Sequence, residues 1–407
     1  MVRLLVLLIC AASALTRADV IVGGDGFQCS DDSACINRLH PDIPMTATAK
    51  PGERIVMKGR DAEDREFDPN DLSNPDKIPG PGFGAVHPVV GPVYIDGAMP
   101  GDVLAVTIES IEPGPFGWTS AADYGFADDM VDTDDLFVIW RLGTEYAESD
   151  ALPGVRIPNA SFPGIVTTLP NDVQLTKFLS REQQLADAGG NVFLPSTDVA
   201  EPSSLCGAEG NKAGECLRTL PPREIGGNLD IRYLRTGVTI YLPCNIDGCG
   251  LAIGDFHYAQ GDGEVSGTAI EMDADITVTT QILKDGPDLA RGPHYSGPAS
   301  LLSIPSERFH ATTGFPLKEK GEIPQHIAYL ASDKVADLTN LSADLSLAAA
   351  NALVAMIDYI VDEYGYDRTQ AYVIASVAVD IRIGQLVDLP NVGATAILPL
   401  DIFTHED

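Results

Sequence analysis

The stretch GDFHYAQGDGE, residues 254–264, sets Asp255, His257, Gln260, Asp262 and Glu264 among three glycines, directly after the apolar run CGLAI. Asp255 and His257 stand at i, i+2, a spacing that puts both side chains on one face of an extended strand. Upstream, GGNLDIRYL (226–234) repeats the spacing with Asn228 and Asp230. Two such pairs on neighbouring strands aim two carboxylates, a carboxamide and an imidazole at one volume. That set suits a divalent ion with open coordination positions, or a water activated by a carboxylate. Glu264, beyond Gly261 and Gly263, can serve as a general acid/base if burial raises its pKa. The competing reading is that these groups satisfy one another in glycine-rich turns. Of the seven histidines, His40 (RLHPDIP) and His87 (AVHPVVGP) precede prolines at turns, and they matter chemically only if the fold carries them to His257.

Other catalytic patterns are missing. There is no G-x-S-x-G elbow, no phosphate-binding P-loop and no Lys-Ser-Ser amidase signature. The sequence holds seven cysteines; Cys10 lies in the N-terminal apolar stretch, and the other six fall in close pairs, 29/35, 206/216 and 244/249. In an oxidising compartment the simplest pairing is within each couple, which leaves no thiol nucleophile.

The elements that must position these residues read mostly as strands. TATAKPGERIVMKG (46–59) reads as strand, Pro-Gly turn, strand, and DVLAVTIESI (102–111) alternates as a half-buried strand. Residues 61–84 read as an acidic surface loop and 118–150 as acidic and irregular. A helix is expected near DVQLTKFLSREQQLADAGG (172–190) and another over 343–363, stopped by EYGY. Residues 368–388 read as a helix running into a strand, followed by a last strand in ATAILPLDIF. The expected fold class is α+β and predominantly β: antiparallel sheets packed together with a C-terminal helix–strand unit. Residues 19–283 form the β-rich domain with the candidate site, and 284–407 an α/β portion completing the same fold.

The N-terminus, MVRLLVLLICAASALTRADV, has a positive start, a short apolar stretch and small residues before Ala18, as a secretory signal peptide over 1–18 does. A secreted protein is expected, with Asn159 and Asn340 as glycosylation acceptors. The apolar run over 345–361 contains Asp358 and reads as a buried helix. With 26 basic and 59 acidic residues the net charge is −33. That field repels phosphate, so neither nucleic acid nor an anionic membrane is an expected partner.

Six blocks in order, RLHPDIP, VHPVVGPVYIDGAMPGDVLAVTI, PGVRIPNASFPGIV, EIGGNLDIRYLRTGVTIYLP, GDFHYAQGDGEVSGTAIEM and AYVIASVAVDIRIGQLVDLPNVGATAILP, resemble the acetamidase/formamidase family of amide hydrolases, from about His40 to Phe403. The resemblance implies hydrolysis of a small amide, formamide or acetamide in kind, to a carboxylate and ammonia. It implies a divalent metal, zinc first, and a homodimer. Transferred by motif, His87, Asp230, Asp255 and His257 bind the ion, Asp255, His257 and Glu264 act in catalysis, and Asn228 holds the substrate. Where family members read roughly THPGIIGTAP, this chain has SFPGIVTTLP (161–170), so Phe162 replaces a His and is expected at the substrate, where it narrows or reshapes the pocket or removes a ligand. The alternative is a catalytically inactive, acidic secreted glycoprotein on the same fold.

Overall fold

Apolar residues alternate through the first two-thirds of the chain, and strands form there. The computed structural model describes residues 18–65, 82–122, 125–131, 134–330, 332–386 and 390–404. The signal peptide, apart from Ala18, and most of the acidic loop expected at 61–84 lie outside the described residues.

The longest strand, Val103–Ala121, runs antiparallel to Glu271–Leu283 from Val103↔Leu283 to Trp118↔Glu271. Two register shifts interrupt that pairing, and such bulges let long strands bend and twist together. The strand is more buried than its alternation suggests. Val103 to Val106 are buried on both faces, and Gly286 packs on Val103 where solvent was expected. The stretch 118–150, expected to be irregular, includes the strands Leu136–Leu142 and Tyr146–Glu148. Ala47–Ala49 and Arg54–Gly59 are both strands, yet each pairs elsewhere, with Val89–Ile95 and with Glu271–Leu283.

Cys249–His257 is buried along its whole length. One edge pairs with Phe162–Thr167. The other pairs with Val89–Ile95 as far as Gly254, then with Glu271 and Met272 from Phe256 onward. The change of partner falls on Asp255, whose φ is 55°. Phe162–Thr167 in turn lies between Cys249–His257 and Gly226–Asn228.

The C-terminal part holds the expected helix and helix–strand unit and adds a strand the sequence did not suggest, Phe309–Gly314. Phe309–Gly314, Gly393–Pro399 and Asp380–Gln385 form a three-stranded antiparallel sheet with Gly393–Pro399 in the centre. Helix Leu345–Tyr364 starts where the Asp344 carboxylate accepts the Leu347 N–H, and stops at Gly365 with φ 73°. Its length and composition would allow a membrane span. Its inner face, from Leu347 to Ile360, is instead buried in the core. Helix Arg368–Ala378 is capped by Asp367. One core runs from Val22 to Ile402 and includes residues on both sides of position 283. The fold is α+β with strands predominant, and the three disulfides are those expected from spacing: 29–35, 206–216 and 244–249.

Candidate active site

At the strand's change of partner, Asp255 and His257 come together, Oδ1 3.4 Å from Nε2. His87, on the turn before Val89–Ile95, brings its Nε2 to 3.9 Å from the same oxygen. The His87 backbone is fixed by Thr219, whose hydroxyl accepts from the His87 N–H at 2.9 Å and donates to its carbonyl at 2.9 Å. Glu271 is the cross-strand partner of His257 and places Oε2 3.2 Å from Nε2. Glu264 Oε1 lies 4.0 Å from it. On the other side of the ring, His257 Nδ1 is 2.9 Å from Gln260 Oε1, while Gln260 Nε2 donates to the Asp230 carbonyl at 2.9 Å. The Gln260 oxygen must therefore accept, so Nδ1 carries a proton and Nε2 faces the acids, the orientation a ligating imidazole needs.

Asn228 and Asp230 reach this place by a different route from the one their spacing suggests. Strand Gly226–Asn228 ends at Asn228, and Asp230 takes φ 47°. The Leu229 and Asp230 N–H groups both donate to the Gly164 carbonyl, at 2.9 and 3.3 Å. Strand Phe162–Thr167 thus lies between the two acid-bearing segments, and the gap is bridged by a missing side chain. A Cβ at Gly164 would sit 2.6 Å from Asp230 Oδ1, 2.6 Å from Asp255 Oδ2 and 3.0 Å from His257 Cε1. Asp230, Asp255 and Glu264 all occupy the left-handed region, with φ 47°, 55° and 45°. For non-glycine residues that costs of order 1–3 kcal/mol each, strain typical of functional sites.

The C-terminal unit clamps the acid loop. Gly261 N–H donates to the Ser376 carbonyl at 2.8 Å, and Ile381 N–H to the Asp262 carbonyl at 2.9 Å. The Asp380 carboxylate accepts from the Asp262 N–H at 3.3 Å while pairing with Arg232 and Arg382. Tyr233 donates its hydroxyl proton to Asp262 at 2.7 Å.

Crowded acids in a buried space set the electrostatics. Burial, then Asp255, pushes Asp230 up to about 8. Burial and Asp230 hold Glu264 well above the carboxylate range, and burial also raises Glu271. Burial alone would raise Asp255 too, but the His87 and His257 imidazoles outweigh it and hold Asp255 at about 2. For His257, burial is outweighed by Glu271 and Asp255, and the ring lies well above its ordinary value. Burial lowers His87. Two overlapping groups, Asp230/His257/Glu264 and Asp255/His257/Glu271, each keep their ligand atoms within 4.8 Å of one another. Among the described residues, the buried Asn228 Oδ1, Asp230 Oδ1, Asp255 Oδ1, His257 Nε2 and Glu271 Oε2 have no well-aligned hydrogen-bond partner. Unpartnered lone pairs converging on one point cost several kcal/mol unless something is bound there, so the donor set fits a divalent cation.

The cluster opens on a cavity of about 490 Å³, lined by His87, Asn228, Asp255, Glu264 and Glu271 and by apolar residues including Phe83, Val86 and Phe193. Every residue expected at the site converges here except Phe162. Phe162 is not in the lining: it is fully buried, paired with His257 across the strands, and packs edge-on against the imidazole with centroids 5.0 Å apart. As the cross-strand partner of His257 it shares the same sheet face and walls one edge of the imidazole, so it supports His257 in place of lining the cavity. His40 is also elsewhere, its Nε2 3.9 Å from Glu215 near the 206–216 disulfide. The sequence reading missed Gly164 and Glu271, and marked Gln260 without giving it a role.

Buried acids and imidazoles thus meet at an open cavity, and the comparisons with known proteins say which class of protein carries them. The chain belongs to the acetamidase/formamidase family, whose sequence model matches residues 27–405. It is an amidase. It is 30% identical over 394 residues to the formamidase of Methylophilus methylotrophus, covering 92% of this chain and 91% of that one. With the acetamidase of Mycolicibacterium smegmatis the identity is 31% over 367 residues, 83% of this chain and 84% of the other. Among solved structures, a gamma lactamase from Delftia acidovorans superimposes with a TM-score of 0.80 at 28% identity, covering 93% of this chain and 91% of that chain.

Proposed function

We propose that this protein is an exported, metal-assisted hydrolase of linear amides, releasing ammonia and a carboxylate. The convergence of unpartnered, buried oxygen and nitrogen atoms on the cavity wall carries the reading. His87, Asp255, His257 and Glu271 would hold a divalent ion, zinc first for its preference for imidazole and carboxylate, with Asp230 and Glu264 on the adjoining side. Such an ion supplies Lewis acidity toward the amide oxygen and a lowered pKa for the attacking water. Asn228 orients the substrate. Glu264, with its raised proton affinity, takes the proton as the water oxygen bonds to the carbonyl carbon, and returns it to the nitrogen as the C–N bond breaks. Gln260 and the edge-on Phe162 ring hold the His257 plane. The apolar N-terminal stretch and three disulfides support export, since structural disulfides belong to oxidising compartments.

The test is ammonia release from formamide and acetamide by the purified protein, with elemental analysis of bound metal. Turnover lost on chelation, restored by Zn²⁺, and absent in His257→Ala and Asp255→Asn supports the mechanism. Folded variants that turn over acetamide at the parental rate would remove both residues from it.

A further inference from the structure

The cavity is much larger than formamide or acetamide, which have three and four non-hydrogen atoms, and one of its walls is apolar, formed by Phe83, Val86, Phe193 and Leu220. At about 490 Å³ it falls in the range of about 300–1,000 Å³ that encloses drug-sized ligands. Its apolar wall is built and held. Phe83 and Phe193 meet with centroids 5.4 Å apart at 51°. The buried Arg218 lies over the Phe83 ring, 5.2 Å from its centroid, and its Nη2 donates to the Phe83 and Val86 carbonyls at 2.6 and 3.2 Å. The buried Arg38 donates to the Gly84 carbonyl at 3.1 Å. Two buried guanidiniums thus fix a short segment whose aromatic ring remains 55% exposed. An aromatic ring held on a fixed segment, half-exposed among the described residues beside buried acids, is how ligand sites present apolar area. Phe193 also lines a second cavity of about 700 Å³, so it stands between two open spaces.

Resting on the amidase reading above, we propose that the preferred substrate is a primary amide whose acyl group is apolar and ring-sized, seated against Phe83, Val86, Phe193 and Leu220. The carboxylates accept the two N–H groups of the carboxamide. The apolar wall is then left for the acyl side. Binding energy from that remote ring can be expressed in the rate as well as in KM.

The experiment compares kcat/KM of the zinc-loaded enzyme for acetamide, phenylacetamide and cyclohexylacetamide, with a γ-lactam as a further arm. A single methylene in an apolar pocket changes kcat/KM by about 10–200-fold, so the ring amides should exceed acetamide tenfold or more. In Phe193→Ala that ratio should fall at least tenfold, and in Phe193→Leu less. Acetamide preferred over both ring amides, or a ratio unmoved in Phe193→Ala, overturns the inference while leaving the amidase reading intact. Hydrolysis of the lactam with no primary amide turned over also overturns it. Turnover of no amide at all would remove the amidase mechanism and this inference together. If Phe193→Ala does not fold, the wild-type series decides alone.

Discussion

Gly164→Ala separates the site from the fold. Gly164 has no positive φ, so alanine fits its backbone. The new methyl carbon would nevertheless lie 2.6 Å from one oxygen of Asp230 and 2.6 Å from one of Asp255. Carbon–oxygen contacts settle at about 3.3–3.6 Å, so both carboxylates must retreat by roughly 0.7 Å. A misplacement of about 1 Å costs on the order of 10²-fold in rate, about 2.7 kcal/mol in the barrier. The stability loss should stay within the ordinary overpacking range of about 1–3 kcal/mol, because side-chain ends can yield. The assay is kcat for acetamide in wild type and variant, alongside bound metal and thermal midpoint. A folded Gly164→Ala protein with activity within threefold of wild type and full metal content would refute the claim that Asp230 and Asp255 meet over this glycine.

Three other outcomes follow from the same geometry. The proton on Asp230, held up to about 8 by burial and then Asp255, gives stability that is whole below the unfolded value of about 3.9 and is lost as pH rises through about 8. The gap in thermal midpoint between Zn²⁺-supplemented and chelated protein should therefore widen from pH 5 to pH 8, as metal replaces protons; a constant gap would contradict it. Asp230→Asn removes one of the crowded charges, so the metal-free protein should gain about 1–3 kcal/mol at pH 8 while acetamide turnover collapses, as denaturant midpoints and rates would show. Asp380→Asn breaks the bracket on the acid loop through Arg232, Arg382 and the Asp262 N–H, and should cut kcat by about 10–100-fold without lowering metal stoichiometry below half; unchanged kcat would make that bracket purely architectural.

Much of the centre was legible because an acid and an imidazole at i, i+2 are followed at once by Gln260, Asp262 and Glu264 in one short glycine-rich stretch. Asp255, His257, Asn228, Asp230, Glu264 and His87 were all marked from residue type, spacing or motif, and all six converge. What spacing could not convey was the path. The i, i+2 rule assumes regular strands, yet Asp230 and Asp255 owe their positions to left-handed backbone. Gly164 was invisible because its contribution is an absence, and no residue-type search finds empty space. Glu271 looks like any acid opening a strand until cross-strand register sets it against His257. Phe162 was assigned to the pocket because it departs from the family pattern, whereas the register sets its buried ring against the edge of the His257 imidazole. The aromatic wall was missed as well: Phe83 and Phe193 lie far apart in the chain, and only tertiary packing joins them. The three long helices and the last two strands were legible from periodicity and the glycine stop after 364, while Phe309–Gly314 was not. The strands within 118–150 were not, since their acidic flanks masked short apolar runs.

The hydrogen bonds from Gly261 to Ser376 and from Ile381 to Asp262 impose an order in time. The ribosome makes the ligand-bearing segments first and their clamp almost last. A nascent chain halted before residue 376 would already contain every candidate ligand, yet would lack the backbone partners of the acid loop. The acid loop and residues 376–381 therefore hold one another, so the loop takes its shape only once the two distant segments have met.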